Sequence, residues 1–545
     1  MMKIFKEIAT CFVLLLFVSD SIFAQIKADA VWQWSTTVNA LTSKETNDHP
    51  TAFLWIPPNC KQVKGVVIGQ HNMLEEGILE HPAFRENLAK LGFAEIWVTP
   101  ALDMVYDFNA TTSLTAFNEM INSFADISGY SELQFAPIIP IGHSAAASYP
   151  WNFAASNPSR TLAIISVHGD APLTNMTGSG RPNPDWGNRN IDGIPGLFVM
   201  GEYEWLEGRI APAIAYRKAH PKAPIAYLCD AGFGHFDYSD ELVGFLNMFI
   251  AKSAKARLPV SFAMNSPVAL KAVDPEKGWL VDRWRDNKPS VALPATFANY
   301  QGNKEDAGWA FDREMALATE SYYARAKGKM PQYIGYVQAG KLLSPSGFSG
   351  FNPKFIPLAD GLTFHLHTKY LDAVVGKPAA KGHSTAKINI TRICGPVVKV
   401  DDSTFKISFN RLGFNNTKRS GDVWFMARSD GDAIYKSAVQ QANMKIPIVN
   451  KEGKAQQINF PPIELTREQK EIKLKASSDS GEPVQYYIKA GPAEIKNDKL
   501  YLTRIPPSAK YPLKVTVVAW QYGRSFSPQL QSASPVEQVF YITRR

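Results

Sequence analysis

Short apolar runs recur along the first half of the chain, spaced so that a helix fits between them. Residues 66–68 (VVI), 93–98 (FAEIWV), 135–141 (FAPIIPI), 162–167 (LAIISV), 197–200 (LFVM) and 225–228 (IAYL) are apolar at nearly every position. An extended segment of that kind is hydrophobic on both faces, which places it inside a parallel sheet covered on two sides. Amphipathic stretches at about 74–91 and 240–254 supply helices for that cover. Residues 31–37 and 52–56 alternate instead, as antiparallel edge strands do. The pattern over 29–257 predicts a three-layer α/β fold with a parallel-dominated sheet.

Beyond about Pro259 the pattern changes. Residues 258–386 mix loops with one helix at 311–327 and read as an accessory lobe of unassigned fold. Strand signals dominate 387–461, for example 397–400, 405–409 and 423–426, and return in a final unit at 462–545. The chain is 545 residues long, enough for several domains, with 45% hydrophobic and 20% charged residues. The formal charge of +8 is thinly spread, and no dense basic stripe points to a nucleic-acid partner.

The first residues have the form of an export signal: Lys3 and Lys6, an apolar run at 11–18, then Ser-Ile-Phe-Ala at 21–24. The expectation is a leader over 1–24 and a protein exported to periplasm, cell surface or medium. No later run has the length of a membrane span. Cys60, Cys229 and Cys394 remain in the mature chain, too few for a disulfide framework and wrongly spaced for zinc.

The candidate chemistry begins where the run 135–141 ends, at Gly142-His143-Ser144-Ala145-Ala146. A strand that turns sharply into a helix presents its central Ser at a strained corner, so the flanking residues must be small. Gly142 and Ala146 are small. Pro150 lies early in the helix expected to follow, where its missing N–H would kink it.

This segment resembles the nucleophile elbow of the α/β-hydrolase superfamily, serine esterase or peptidase type, over about 29–257. The resemblance implies the order Ser, acid, His along the chain. Ser144 would be the nucleophile and His235, in Ala231-Gly232-Phe233-Gly234-His235, its base. The acid would be Glu204, three residues past Gly201, with Glu202 and Asp170 as alternatives. Backbone N–H groups of Ala145 and of the loop after Gly69 would hold the oxyanion, the latter at His71 over Gln70 or Asn72. Trp186, in the long excursion 171–193, together with Tyr106 and Trp205, are candidate substrate contacts. No metal or organic cofactor is required.

His365 and His367 share a face of a short strand and could bind zinc with His383, but no carboxylate or Cys accompanies them. Asp430-Gly431-Asp432 reads as a hairpin turn. Residues 477–503 resemble the immunoglobulin-like modules of bacterial secreted proteins, which implies a C-terminal β-sandwich without a catalytic role. The expected function is an exported serine hydrolase, a carbohydrate esterase acting on an ester-bearing substrate such as an acylated polysaccharide. The alternatives are an exported serine peptidase and a catalytically dead hydrolase fold that binds glycans at the cell surface.

Overall fold

A computed structural model describes residues 32–178, 181–263, 265–285, 288–374, 377–465 and 471–544; the leader expected at 1–24 lies outside the described residues. Eight strands form the principal sheet: β1 (Trp34–Thr37), β2 (Thr51–Trp55), β3 (Gly65–Gln70), β4 (Phe93–Thr99), β5 (Ile138–His143), β6 (Ile164–Val167), β7 (Gly196–Gly201) and β8 (Ile225–Asp230). Their order is β1-β2-β4-β3-β5-β6-β7-β8. The two edge pairings β1/β2 and β2/β4 are antiparallel and the rest are parallel. This is the α/β-hydrolase fold, and the strand order reverses beside β3, where β4 lies on one side and β5 on the other.

Consecutive apolar residues feed opposite faces. Val67 packs with Phe84 and Leu88 of α2 (Pro82–Leu91, after α1, Glu75–Leu79) and with α6 (Asp240–Arg257). Its neighbours Val66 and Ile68 pack with Phe117, Met120 and Phe124 of α3 (Thr111–Ser128). Further along that second face, Phe198 and Ile225 meet Trp151 of α4 (Tyr149–Ser156) and Ile210 of α5 (Glu207–Ala219). Each such fully buried side chain contributes about 1.5–3 kcal/mol relative to exposure.

Prolines redraw two expected helices. The amphipathic stretch 74–91 is two helices rather than one, because Pro82 begins α2 after an extended His81. Pro150 does not kink the helix behind Ser144. It stands in the first turn of α4, where the missing N–H would have had no intrahelical partner.

The expected lobe 258–386 is not one unit. Its first part, with strands β9 (Trp279–Val281), β10 (Ala295–Thr296) and β11 (Gly308–Ala310) and helix α7 (Arg313–Ala324), packs along β8. Tyr323 Oη donates to Tyr227 O at 3.2 Å, and Arg217 donates to Ala307 O. The boundary expected at 386/387 falls inside a sheet. Strands Pro345–Ser346 and Gly350–Phe351 join Ala438–Lys445, Asp422–Ser429 and Asn389–Cys394, with Phe351 paired to Ala442 in parallel. Asp430–Asp432 lies in the connection between two antiparallel strands of this sheet, where Asp432 Oδ1 accepts from the N–H groups of Ile434 and Tyr435. The C-terminal unit is rich in small antiparallel sheets, two of them three-stranded.

Candidate active site

Three loops at the carboxyl ends of β5, β7 and β8 converge. After β5 the chain makes a 3₁₀ turn, Ser144–Ala146, in which Ser144 has φ +52°. A non-glycine residue held there costs of order 1–3 kcal/mol, so its surroundings must enforce it. Gly142 allows the corner to close, since a Cβ on it would stand 2.0 Å from Ala146 O. Beyond β7, Glu204 ends a 3₁₀ turn, and the acid loop touches the histidine loop at Gly201, where a Cβ would lie 2.2 Å from Gly234 O.

The side chains form a linear array. Ser144 Oγ lies 2.7 Å from His235 Nε2, and His235 Nδ1 lies 2.5 Å from Glu204 Oε2. Since a carboxylate only accepts, Nδ1 carries the proton and the Nε2 lone pair is left to accept from the serine hydroxyl. Burial alone would raise the Glu204 carboxyl, but hydrogen bonds and charge from His168 and His235 hold it well below the usual carboxylate range. Arg209 Nη1 donates to Glu204 Oε2 at 2.7 Å, and Gly201 N–H to Oε1 at 3.1 Å.

The alternative acids have other partners. Glu202 pairs with Lys436 Nζ at 2.5 Å and accepts from Gly232 N–H at 2.7 Å, so it braces the histidine loop from below. Asp170 takes the backbone N–H of Thr177 and its hydroxyl at 2.6 Å, and that hydroxyl also lies 2.8 Å from Ser144 O. The carboxylate that His235 Nδ1 meets is that of Glu204.

The loop after β3 differs from expectation. His71 N–H is donated to Val98 O at 2.9 Å and is not free for an oxyanion. Asn72 and Met73 give their N–H groups to the buried Glu75 carboxylate, at 3.1 and 2.9 Å. Burial pushes Glu75 up to about 7, against backbone donors that include His143 N–H at 2.8 Å. Ala145 N–H opens the turn at Ser144, where first-turn donors have no intrahelical acceptor.

Two predicted substrate contacts are core residues instead. Trp186 is 3% exposed and donates Nε1 to Asn152 Oδ1 at 2.8 Å, which anchors its loop to the hydrolase domain. Tyr106 is 2% exposed, its ring packed against Phe117, Tyr149 and Phe153. Trp205, by contrast, lines a cavity of about 1250 Å³ with His235, Phe236, Trp284, Tyr333 and Gln441. That cavity lies between the hydrolase domain, the middle lobe and the β-rich region. His383 stacks on Tyr370 with ring centroids 4.1 Å apart, and His365 bonds Thr404 Oγ1 through Nδ1 at 3.1 Å.

Sequence reasoning passed over His143 and His168. His143 Nε2 donates to the carbonyl of His235 at 2.8 Å and so fixes the backbone of the histidine loop. His168 stands immediately past β6, as Ser144 stands past β5, with Nδ1 3.1 Å from Glu204 Oε1. That position at a parallel strand's carboxyl end was the available signal.

No protein-family model matches the sequence, and the curated proteins contain no significant match. Among solved structures the chain is similar to Est1E from Butyrivibrio proteoclasticus, at 17% identity over 41% of this chain and 99% of that one, with a TM-score of 0.28. It is similar to an S-formylglutathione hydrolase from Agrobacterium tumefaciens (12% identity, 41% and 94% of the two chains, TM-score 0.30). A truncated carbohydrate esterase from gut microbiota gives 13% identity, 42% and 99% coverage and a TM-score of 0.30. All three fit nearly whole within about two fifths of this chain.

Proposed function

We propose that this protein is an exported serine hydrolase that cleaves acyl esters through Ser144, His235 and Glu204. The observation that carries this reading is the unbroken array from Ser144 Oγ to His235 at 2.7 Å and on to Glu204 at 2.5 Å, with the serine at positive φ. His235 Nε2 takes the serine proton as Oγ attacks the ester carbonyl. Ala145 N–H donates to the developing oxyanion. The tetrahedral intermediate collapses, His235 returns the proton to the leaving alcohol, and the acyl group stays on Ser144. Water, deprotonated by the same imidazole, then releases the acid.

The leaving alcohol receives its proton from His235, so its bulk extends on the His235 side. The cavity of about 1250 Å³ lies there, and it exceeds the few hundred to 1,000 Å³ of a drug-sized site. Half-buried Trp205 and Tyr333 offer ring faces, and Gln440 and Gln441 offer amides, a combination suited to a carbohydrate alcohol. The preferred substrate is thus an acylated polysaccharide. Export is the reading of the export-signal pattern at 1–24, and among the described residues no helix is long and apolar enough to cross a membrane.

The test is labelling with a fluorophosphonate probe and mapping of the adduct, alongside assays on acetylated glycan and on peptide. A single adduct on Ser144, lost in His235→Ala, with ester turnover is expected. Folded protein that takes no adduct would overturn the enzyme reading in favour of a glycan-binding hydrolase fold. Peptide turnover without ester turnover would replace the esterase by a peptidase.

A further inference from the structure

We propose that His168 is a positioning residue of this array: a buried imidazolium clamped between Glu204 and Asp230 that fixes the carboxylate His235 relies on. The proposal rests on the reading of Ser144, His235 and Glu204 as a triad. His168 Nδ1 lies 3.1 Å from Glu204 Oε1 and Nε2 lies 3.3 Å from Asp230 Oδ2, and the side chain is 0% exposed. A neutral imidazole has one N–H and one lone pair, so it would aim that lone pair at a carboxylate in a dry interior. Nε2 and Oδ2 face each other at ion-pair distance without a hydrogen bond of normal geometry, and among the described residues neither bonds to any other group. The proposed imidazolium carries a proton on each nitrogen, one toward each carboxylate.

The backbone agrees with a fixed role. His168 has φ +46°, a conformation that persists only where the surroundings dictate it. Burial by itself would lower the His168 pKa, yet the bonds to Asp230 and Glu204 raise it to about 10. The labour at Glu204 is divided: Oε1 takes His168 and Gly201 N–H, while Oε2 takes His235 and Arg209. Without the clamp, the carboxylate could rotate and share Oε1 with His235.

The surrounding charges set the sign of the effect. Glu204 and Asp230 face His168 directly, Arg209 approaches from α5, and Tyr322 Oη of α7 donates to Asp230 Oδ1 at 2.7 Å. Asp237, in the histidine loop, is pushed up by burial and by Asp230, with Arg428 beyond it. The rings of His143 and His235 lie 6.2 and 6.4 Å from that of His168. Two cations, His168 and Arg209, thus balance two carboxylates. A neutral residue at 168 leaves one negative charge uncompensated near His235, which favours the protonated, non-basic form of that ring.

The test uses the full mature chain. With nitrogen-15-labelled histidine and His168→Gln for assignment, both ring N–H groups of His168 are expected from pH 5 to 9. In His168→Gln the acid limb of the kcat/KM profile should move up by about one pH unit, with much of the activity regained at high pH. Equal loss at every pH without movement of the limb, or a neutral His168 at pH 7 beside a fluorophosphonate-labelled Ser144, would overturn the proposal. Absence of any Ser144 adduct would instead remove the triad reading and this inference with it. Should His168→Gln not fold, the wild-type proton count still decides, with resonance assignment through His143→Gln and His235→Gln.

Discussion

The parallel-dominated sheet and the mainly antiparallel sheet of 345–445 bury their residues in different ways. Strands β3, β5, β7 and β8 are buried at every position, so both faces are spent on the core. Only their carboxyl ends are left for chemistry, and Ser144, Glu204 and His235 all sit there. Strand Asp422–Ser429 alternates instead. Val423, Phe425 and Ala427 enter the core of the β-rich region, while Trp424 and Met426 pack against the hydrolase core. On that second face Trp424 stacks on Phe236 with centroids 5.0 Å apart, and Arg428 lies 4.7 Å over the ring of Phe233. Lys436 and Ser437 follow on to Glu202 and Gly232, and Arg419 Nη1 donates to Asn72 O at 2.6 Å. A sheet whose own core takes only one face has the other to spare, and here that face holds the loops of the hydrolase domain.

The comparison is broken most sharply from the chemical side. Ser144→Ala should lower kcat by at least about 10⁴-fold while the thermal midpoint stays unchanged, as read by ester turnover and calorimetry. The next effect lies on the bracing side. Lys436→Met leaves Glu202 buried beside Gly232 without its cation and should cost about 3–5 kcal/mol in urea unfolding, with kcat reduced as well. Period-two alternation gives a finer contrast: Phe425→Ala should lose about 3–5 kcal/mol with little change in kcat/KM of the remaining folded protein. Trp424→Ala should lose less stability yet more activity, and the reverse ranking would refute the division of faces.

The smallest effect is a pH trend belonging to the parallel region. Burial raises Glu75 to about 7 and Glu95 to about 8, the latter despite Arg85 at 2.7 Å. A carboxyl whose folded pKa exceeds its unfolded value stabilises fully below the unfolded value, near 4.5, and loses that contribution as pH rises through the folded one. Their share of stability should therefore fall between about pH 5 and 8, and Glu75→Gln should flatten the fall measured by urea titration.

How much of this was legible follows the range of the interactions. The strands of the parallel sheet announce themselves because both faces are apolar, and the three array residues each follow such a run by a few positions. Helix α3 carried its signal in the spacing of Phe117, Met120, Ile121 and Phe124, which was not taken up. The break at 386/387 failed because Phe351 pairs with Ala442, far along the chain. Trp186 and Tyr106 misled because an aromatic in a loop looks the same whether it meets a ligand or its own core. His71 misled for a related reason, its N–H having been claimed by Val98 O. The identity of His168 was visible, but its carboxylate partners come from β8 and the turn after β7.

The packing of β11 and α7 along β8 has a consequence for assembly. β8 is the last strand of the eight, and a bare outer strand offers a row of N–H and C=O groups to any other strand that drifts past. Tyr323 and Gly308 lie across it, with Gly308 close to the Tyr227 backbone. The middle lobe thus acts as a guard against edge-to-edge aggregation, and a hydrolase domain trimmed after α6 would trade a smaller size for sticky strands.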